Sequence, residues 1–212
     1  MSGAADSAGS TTTDDTTTDY TDGTSAADSL TGDGDDDFLR GFGGADTLDG
    51  GAGNDRLGGM SGADSIIAGD GGDCARGDQG ADTLDGGAGN DTLLGGAGND
   101  SIIAGDGDDR VVGDAGADTI HGGAGNDTMN GGAGDDLLSG GDGADSFRIS
   151  RGEDTIADFE DGSDLMVVRE DTTYTVGSDT DGNAVVTFGN GASVTLIGVN
   201  ASVISNDDFS FI

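Results

Sequence analysis

Gly86-Gly87-Ala88-Gly89-Asn90-Asp91-Thr92-Leu93-Leu94 has near-copies at Gly50–Gly58 and Gly122–Asn130. Numbering the nine positions one to nine exposes three columns that stay in phase through 13 gapless copies. Position six is Asp46, Asp55, Asp64, Asp73, Asp82, Asp91, Asp100, Asp109, Asp118, Asp127, Asp136, Asp145 and Asp154. Position four is Gly in every copy, from Gly44 to Gly152. Position eight is apolar in every copy, from Leu48 and Leu57 to Phe147 and Ile156. A further copy is read around Asp36 and Phe38, offset from these by ten residues. Compositional bias does not hold three columns in phase; a structural repeat does.

One apolar position in nine, flanked by polar ones, reads as a short strand at positions seven to nine with its middle side chain inward. Positions one to six turn the chain, with Gly supplying backbone angles that other residues reach only under strain. Two copies then make a coil of 18 residues with two strands and two turns. Coils stack in parallel with a rise of about 4.8 Å each, giving a rod on the order of 30 Å long. The fold expected is all-β: a parallel β-roll, or right-handed β-solenoid, over residues 30–157. A small β cap over 158–212 follows, because apolar stretches at Leu165–Val168, Thr173–Val176, Ala184–Phe188 and Val194–Val199 are separated by turn signals. Phe159, Phe188, Phe209 and Phe211 are expected to bury against Phe147 and Ile156. Residues 1–29, rich in Ser, Thr, Asp and Ala, read as a disordered leader.

Composition explains why the repeat needs help. The 212 residues include 45 Gly, 43 acids of which only three are Glu, seven cations that are all Arg, and neither Pro nor Trp; the net charge is −36. One buried Leu-sized side chain per nine residues contributes about 2 kcal/mol, whereas ordering nine residues costs roughly 9 kcal/mol or more. Stacked coils also bring Asp columns within about 5 Å of each other. A cation between the turns answers both problems. Carboxylate and carbonyl oxygens, with no His or Cys at repeated positions, suit Ca²⁺ rather than zinc or copper, and Mg²⁺ keeps its waters too firmly. The candidate ligands are the 13 position-six aspartates and Asp36. Ions are expected between repeats n and n+2. One side runs through Asp46, Asp64, Asp82, Asp100, Asp118, Asp136 and Asp154, and the other through Asp55, Asp73, Asp91, Asp109, Asp127 and Asp145. The gaps hold about 11 ions, whose charge would bring −36 to about −14.

The nonapeptide resembles that of the RTX (repeats-in-toxin, haemolysin-type) calcium-binding family. Gly152-Glu-Asp-Thr-Ile-Ala-Asp-Phe-Glu-Asp-Gly-Ser-Asp164, Val194–Val199 and Asp207–Ile212 are similar to that family's C-terminal tail. The resemblance implies a β-roll with Ca²⁺ in its turns. It further implies export through a type I secretion apparatus reading an uncleaved C-terminal signal, and folding outside the cell. The copies at Ala68–Arg76, with only Ala at the core position, and at Ile149–Ala157, lacking its first two Gly, depart from the pattern.

Several function classes are excluded or disfavoured. A field this negative repels nucleic acid and anionic membranes. The longest strongly apolar run, Leu165–Val168, is far short of a bilayer span, and the N-terminus carries no Sec-type signal. One His (His121) and one Cys (Cys74) leave no zinc motif, Ser-His-Asp triad or intramolecular disulfide, and both read as surface residues. Asp33–Asp37 and Asp179–Asn183 echo an EF-hand loop but lack its Gly and Glu. The expectation is a monomeric, secreted, non-enzymatic Ca²⁺-binding protein serving as a structural, adhesive or surface module. The alternatives are a non-catalytic module of a secreted protease, lipase, epimerase or toxin, and an ice-binding solenoid. The last needs a regular outward Thr ladder, and position seven holds Thr in only six of the 13 copies (47, 83, 92, 119, 128 and 155).

Overall fold

The computed structural model describes residues 20–170 and 172–212. It is a parallel β-roll of two facing sheets, with one 3₁₀ turn at Asn206–Asp208. The chain alternates between the sheets at each nonapeptide, so every strand pairs with the strand two copies away, 18 residues on. Leu48, Ile66, Leu84, Ile102, Ile120, Leu138 and Ile156 are successive partners in the eleven-stranded sheet. Leu39, Leu57, Ala75, Leu93, Val111, Met129, Phe147 and Met166 are partners in the ten-stranded one. These two columns face each other and form the core, each side chain 3% exposed or less.

Core side chains in neighbouring coils interdigitate, so one truncation opens a cavity that the rigid stack cannot collapse. Ile102→Ala should cost about 2–5 kcal/mol, measured as a lowered denaturant midpoint in saturating Ca²⁺. Ala75 is the natural small residue in this series, held in register between Leu57 and Leu93.

Strands are longer than expected. Eleven consecutive strands, from Thr47–Ala52 to Leu137–Asp142, have six residues each and run from position seven to position three of the next copy. Position two keeps its ladder pairing, as in Gly51↔Gly69, while holding a positive φ of 98° at Gly51. Only positions four to six turn the chain. Position four cannot be anything but Gly: a Cβ at Gly62, φ +149°, would stand 1.4 Å from the carbonyl oxygen of Gly44 in the adjacent coil.

Both ends of the roll lie beyond the boundaries read from sequence. Of the expected leader, residues 1–19 lie outside the described residues, but Tyr20–Asp22 and Ser29–Thr31 are strands of the two sheets. Thr21 and Leu30 are their buried residues, 18 positions before Leu39 and Leu48. At the other end, Leu165–Val168 and Phe209–Phe211 continue the ten-stranded sheet in parallel, as does Ser193–Leu196 the eleven-stranded one. Only Ala184–Phe188 and Tyr174–Ser178 pair antiparallel, closing that sheet's edge. Phe159, Phe188 and Phe209 are buried, with Phe159 6.2 Å from the Phe147 ring. Phe211 is not, at 46% exposed: it points to the same side as Phe209 but lies at the end of the edge strand.

Candidate metal centre

The position-six aspartates form two columns at the edges of the roll, where the chain passes from turn to strand. All 13 are buried, 1–3% exposed. One oxygen of each has a clear function. The backbone N–H of Asp55 donates to Oδ1 of Asp73, 2.7 Å away in the next coil, and the N–H of Asp73 donates to Oδ1 of Asp91 at 2.8 Å. The same bond links Asp46 to Asp64, Asp64 to Asp82, Asp82 to Asp100 and so on down both columns. Each carboxylate thus satisfies the amide that its neighbour's turn leaves without a ladder partner.

The other oxygen is unaccounted for. Oδ2 of all 12 aspartates from Asp46 to Asp145 is buried and has no hydrogen-bond partner among the described residues. A buried carboxylate oxygen with nothing to bind is costly, and a column of them more so. The site beside them is open. The Oδ2 of Asp55 and the carbonyl oxygen of Ala68 in the next coil both lie 2.4 Å from where a Cβ on Gly50 would stand. Gly at position one leaves that space free, between a carboxylate and a carbonyl oxygen. The same pairing recurs at Gly32, Gly77, Gly86, Gly95, Gly113 and Gly122. At three positions, Ala68, Ala104 and Ile149, a side chain takes the place of glycine, marking the Asp73, Asp109 and Asp154 turns as variants.

The described residues contain no group of three His, Cys, Asp or Glu side chains gathered for a metal. A cation here must therefore complete its shell with backbone carbonyls, which suits a hard ion of high and flexible coordination number. The donor set fits Ca²⁺: paired carboxylates, peptide carbonyls and no nitrogen or sulfur.

Electrostatics report the same need. Burial raises the pKa of each of the 13, and neighbouring carboxylates add to the rise at every one. Asp55, Asp82, Asp118, Asp127 and Asp154 are pushed up to about 6 and Asp91 to about 7. These acids hold protons in the metal-free fold over a pH range where the unfolded chain, near 4, has lost them. Stability of the metal-free fold therefore falls as pH rises from about 4 through about 7. In Ca²⁺-free buffer the chain should show more β-structure by circular dichroism at pH 4.5 than at pH 7.5. Ca²⁺ affinity should weaken on acidification below about pH 6, since protons compete for the same oxygens.

Asp36 does not belong to the buried column. It is exposed at position five, its Oδ1 accepting from both the backbone and side-chain nitrogens of Asn54, which lowers its pKa. The residue at position six is Asp37, buried, its N–H bonded to Oδ1 of Asp55. The period there is nine and not ten, and three consecutive acids, Asp35 to Asp37, obscured it. Asp28 extends the other column, bonding Asp46. Asp164 also joins, accepting from Asp145 after a one-residue insertion that broke the sequence period. At these ends the second oxygen is not free: Thr24 donates to Asp28 Oδ2 and the N–H of Glu160 to Asp164 Oδ2. His121 and Cys74 lie at outward positions, away from both columns.

Comparison with known proteins agrees with this geometry. The sequence model of the RTX calcium-binding nonapeptide repeat matches residues 22–57, 58–93, 85–120, 112–147 and 121–156. No curated protein sequence matches the chain. Among solved structures, the extracellular lipase LipA from Serratia marcescens is similar in fold, with a TM-score of 0.50 at 23% identity over 93% of this chain. The chain spans 41% of that lipase's length. Two subunits of the Azotobacter vinelandii mannuronan C5-epimerase, AlgE6R3 and AlgE6R2, are each 28% identical. They cover 57% and 56% of this chain and 78% and 91% of their own, with TM-scores of 0.35 and 0.44. With a repeat match running from residue 22 to residue 156 and a β-roll built on that same period, the chain belongs to the RTX calcium-binding nonapeptide-repeat family.

Proposed function

We propose that the protein is a secreted Ca²⁺-binding module whose roll folds when Ca²⁺ enters its turns outside the cell. The observation that carries this reading is the set of 12 buried, unpartnered Oδ2 atoms of Asp46 to Asp145, six in each column, with Oδ1 of Asp37 and Oδ2 of Asp33 buried and unpartnered at one end. Six successive turns per column enclose five gaps, so the roll would take about ten ions, held by Asp46 to Asp145 with backbone carbonyls of the adjacent turns. At low cytosolic Ca²⁺ the columns repel and the chain stays extended, a form that a type I secretion apparatus can thread. Outside, Ca²⁺ neutralises the columns and the coils stack. Isothermal titration calorimetry should return about ten Ca²⁺ per monomeric chain; one or two would contradict the assignment of the columns. Residues 158–212, fused to the end of a reporter, should direct its export from cells carrying a type I apparatus, and a reporter retained inside would remove the secretion part of the proposal.

The role we assign is structural or adhesive and non-enzymatic. No catalytic constellation accompanies the columns among the described residues, and the ordered regularity of the roll suits presentation of a surface. A second reading is that of a non-catalytic module working beside a secreted enzyme or toxin. It draws support from the fold likeness that occupies only 41% of the lipase.

A further inference from the structure

The seven arginines are scattered through the sequence but not through the fold. Arg40, Arg56, Arg76, Arg110 and Arg148 all lie on strands of the ten-stranded sheet. Arg151 bridges to Ala133 of that sheet, and Arg169 directly follows its strand Leu165–Val168. The eleven-stranded sheet has none. From Phe38 to Arg148 the outward positions seven and nine of the ten-stranded sheet are Phe38, Arg40, Arg56, Gly58, Cys74, Arg76, Thr92, Leu94, Arg110, Val112, Thr128, Asn130, Ser146 and Arg148, with no acid among them. At position two the same face carries Asp78, paired with Arg76, and the exposed Asp114, so arginines outnumber acids there in a chain with 43 acids.

Arg40 is paired with Asp22 at 2.7 Å and lies 5.3 Å and 5.1 Å from the Phe38 and Phe42 rings. Arg76 is paired with Asp78 at 2.8 Å. Arg56, Arg110, Arg148, Arg151 and Arg169 are exposed and form no ion pair among the described residues. At the cap end, two clefts of about 480 and 290 Å³ adjoin, both lined by Ile149, Ser150, Arg151, Val168 and Arg169. Arg148 and Asn130, whose buried side-chain oxygen has no hydrogen-bond partner, line the smaller one.

We propose that this face, ending in the two clefts, binds an extended acidic polysaccharide through its carboxylate or sulfate groups. Planar guanidinium groups match such anions with two parallel hydrogen bonds. The coil rise spaces them regularly: Arg40 and Arg76 are two coils apart, roughly 10 Å, and Arg56 and Arg110 three, roughly 14 Å. Between them lie Thr92, Leu94, Thr128 and Asn130, a mixture of apolar and hydroxyl or amide groups suited to the faces and hydroxyls of sugar rings. Phe38 and Leu94 are half-buried, which is unfavourable for insertion into a lipid surface. A duplex nucleic acid, wider than the face, would set phosphates against the acidic turns on either side. The net charge of −36 does not forbid a polyanion along the face, because charges beyond a Debye length of about 8 Å are screened and ions in the turns would neutralise the nearest acids.

The test uses the full chain in Ca²⁺, with polygalacturonate and dextran sulfate as probes and neutral dextran as control, read by affinity electrophoresis and calorimetry at two salt concentrations. Circular dichroism in the same buffer separates failure to fold from failure to bind. At least one polyanion should bind, more weakly at high salt, and the two arms distinguish carboxylate from sulfate. Arg56→Ser, Arg110→Ser and Arg148→Ser should each weaken binding by roughly tenfold, and all three together should abolish it. Thr83→Ala with Ser101→Ala on the opposite sheet should leave it unchanged. The proposal is overturned if neither polyanion binds or if neutral dextran binds equally. It is also overturned if the arginine variants bind like the parent, as Ca²⁺ bridging to the acidic turns would produce, or if the face instead joins two copies of the chain.

Discussion

Replacing Asp91 and Asp109 together with Asn should raise the Ca²⁺ concentration at the folding midpoint by tenfold or more, a cost of ~1.4 kcal/mol or above, and remove one to three ions from the stoichiometry. The two residues are successive members of one column: the N–H of Asp91 donates to Oδ1 of Asp109 at 2.7 Å, and Asp91 itself accepts from Asp73. Asn keeps an oxygen that can accept those bonds, so the ladder survives. What it removes is charge at the two unpartnered Oδ2 positions. Asp91 is the acid whose pKa is pushed highest, to about 7, by burial first and then by Asp73 and Asp109. Neutralising it therefore relieves the metal-free fold while weakening the metal-bound one. The double variant should show more residual β-signal in chelator than the parent and a shallower Ca²⁺ titration. If the carboxylates were only an acidic surface, the variant would gain stability at every Ca²⁺ concentration alike.

Gly98→Val should be still more damaging to the fold. Gly98 is at position four with φ +142°, and a Cβ there would stand 1.5 Å from the carbonyl oxygen of Gly80 in the preceding coil. The oxygen belongs to a turn residue that follows directly on strand Cys74–Gln79 and whose own N–H is bonded to the carbonyl of Ala97 at 2.9 Å, which leaves it little room to move. The left-handed angle alone costs on the order of 1–3 kcal/mol for a side-chain-bearing residue. With the clash the loss should exceed ~4 kcal/mol, lowering the melting temperature in Ca²⁺ by roughly 10 °C or more. Ala97→Ser, one residue away at an exposed position, should change stability by less than about 0.5 kcal/mol. Equal melting temperatures for the Gly98 variant and the parent would mean that the coils do not approach as closely as described.

The roll was legible because its period is short and its three columns carry three different chemistries: Leu93 inward, Asp91 toward the neighbouring turn, Gly89 where backbones meet. Other features were hidden for physical reasons. Asp37 and Asp28 keep the nine-residue spacing, but Asp37 is the third acid in a row, and only burial separates it from Asp36. Asp164 sits one residue out of phase after the loop at Asp158–Ser163. Strand length was underestimated because Gly at positions one and two signals a turn in most contexts. Here it lets the backbone pair while leaving room beside the Asp carboxylate. Least visible was the difference between the two faces, since consecutive copies go to opposite sheets. Position seven looks irregular along the chain, yet in one sheet it is Ser29, Thr47, Ser65, Thr83, Ser101 and Thr119 in unbroken register. The arginines fall on the other sheet by the same alternation.

A Ca²⁺ titration followed by far-ultraviolet circular dichroism, with Mg²⁺ as control, tests the proposed dependence of the fold on Ca²⁺ most directly. The 12 buried, unpartnered Oδ2 atoms require a coil spectrum in excess chelator at pH 7.5. They require a cooperative rise of β-signal as Ca²⁺ is added, and little response to Mg²⁺ at the same concentrations. A chain that keeps its full β-signal in chelator at that pH would contradict it.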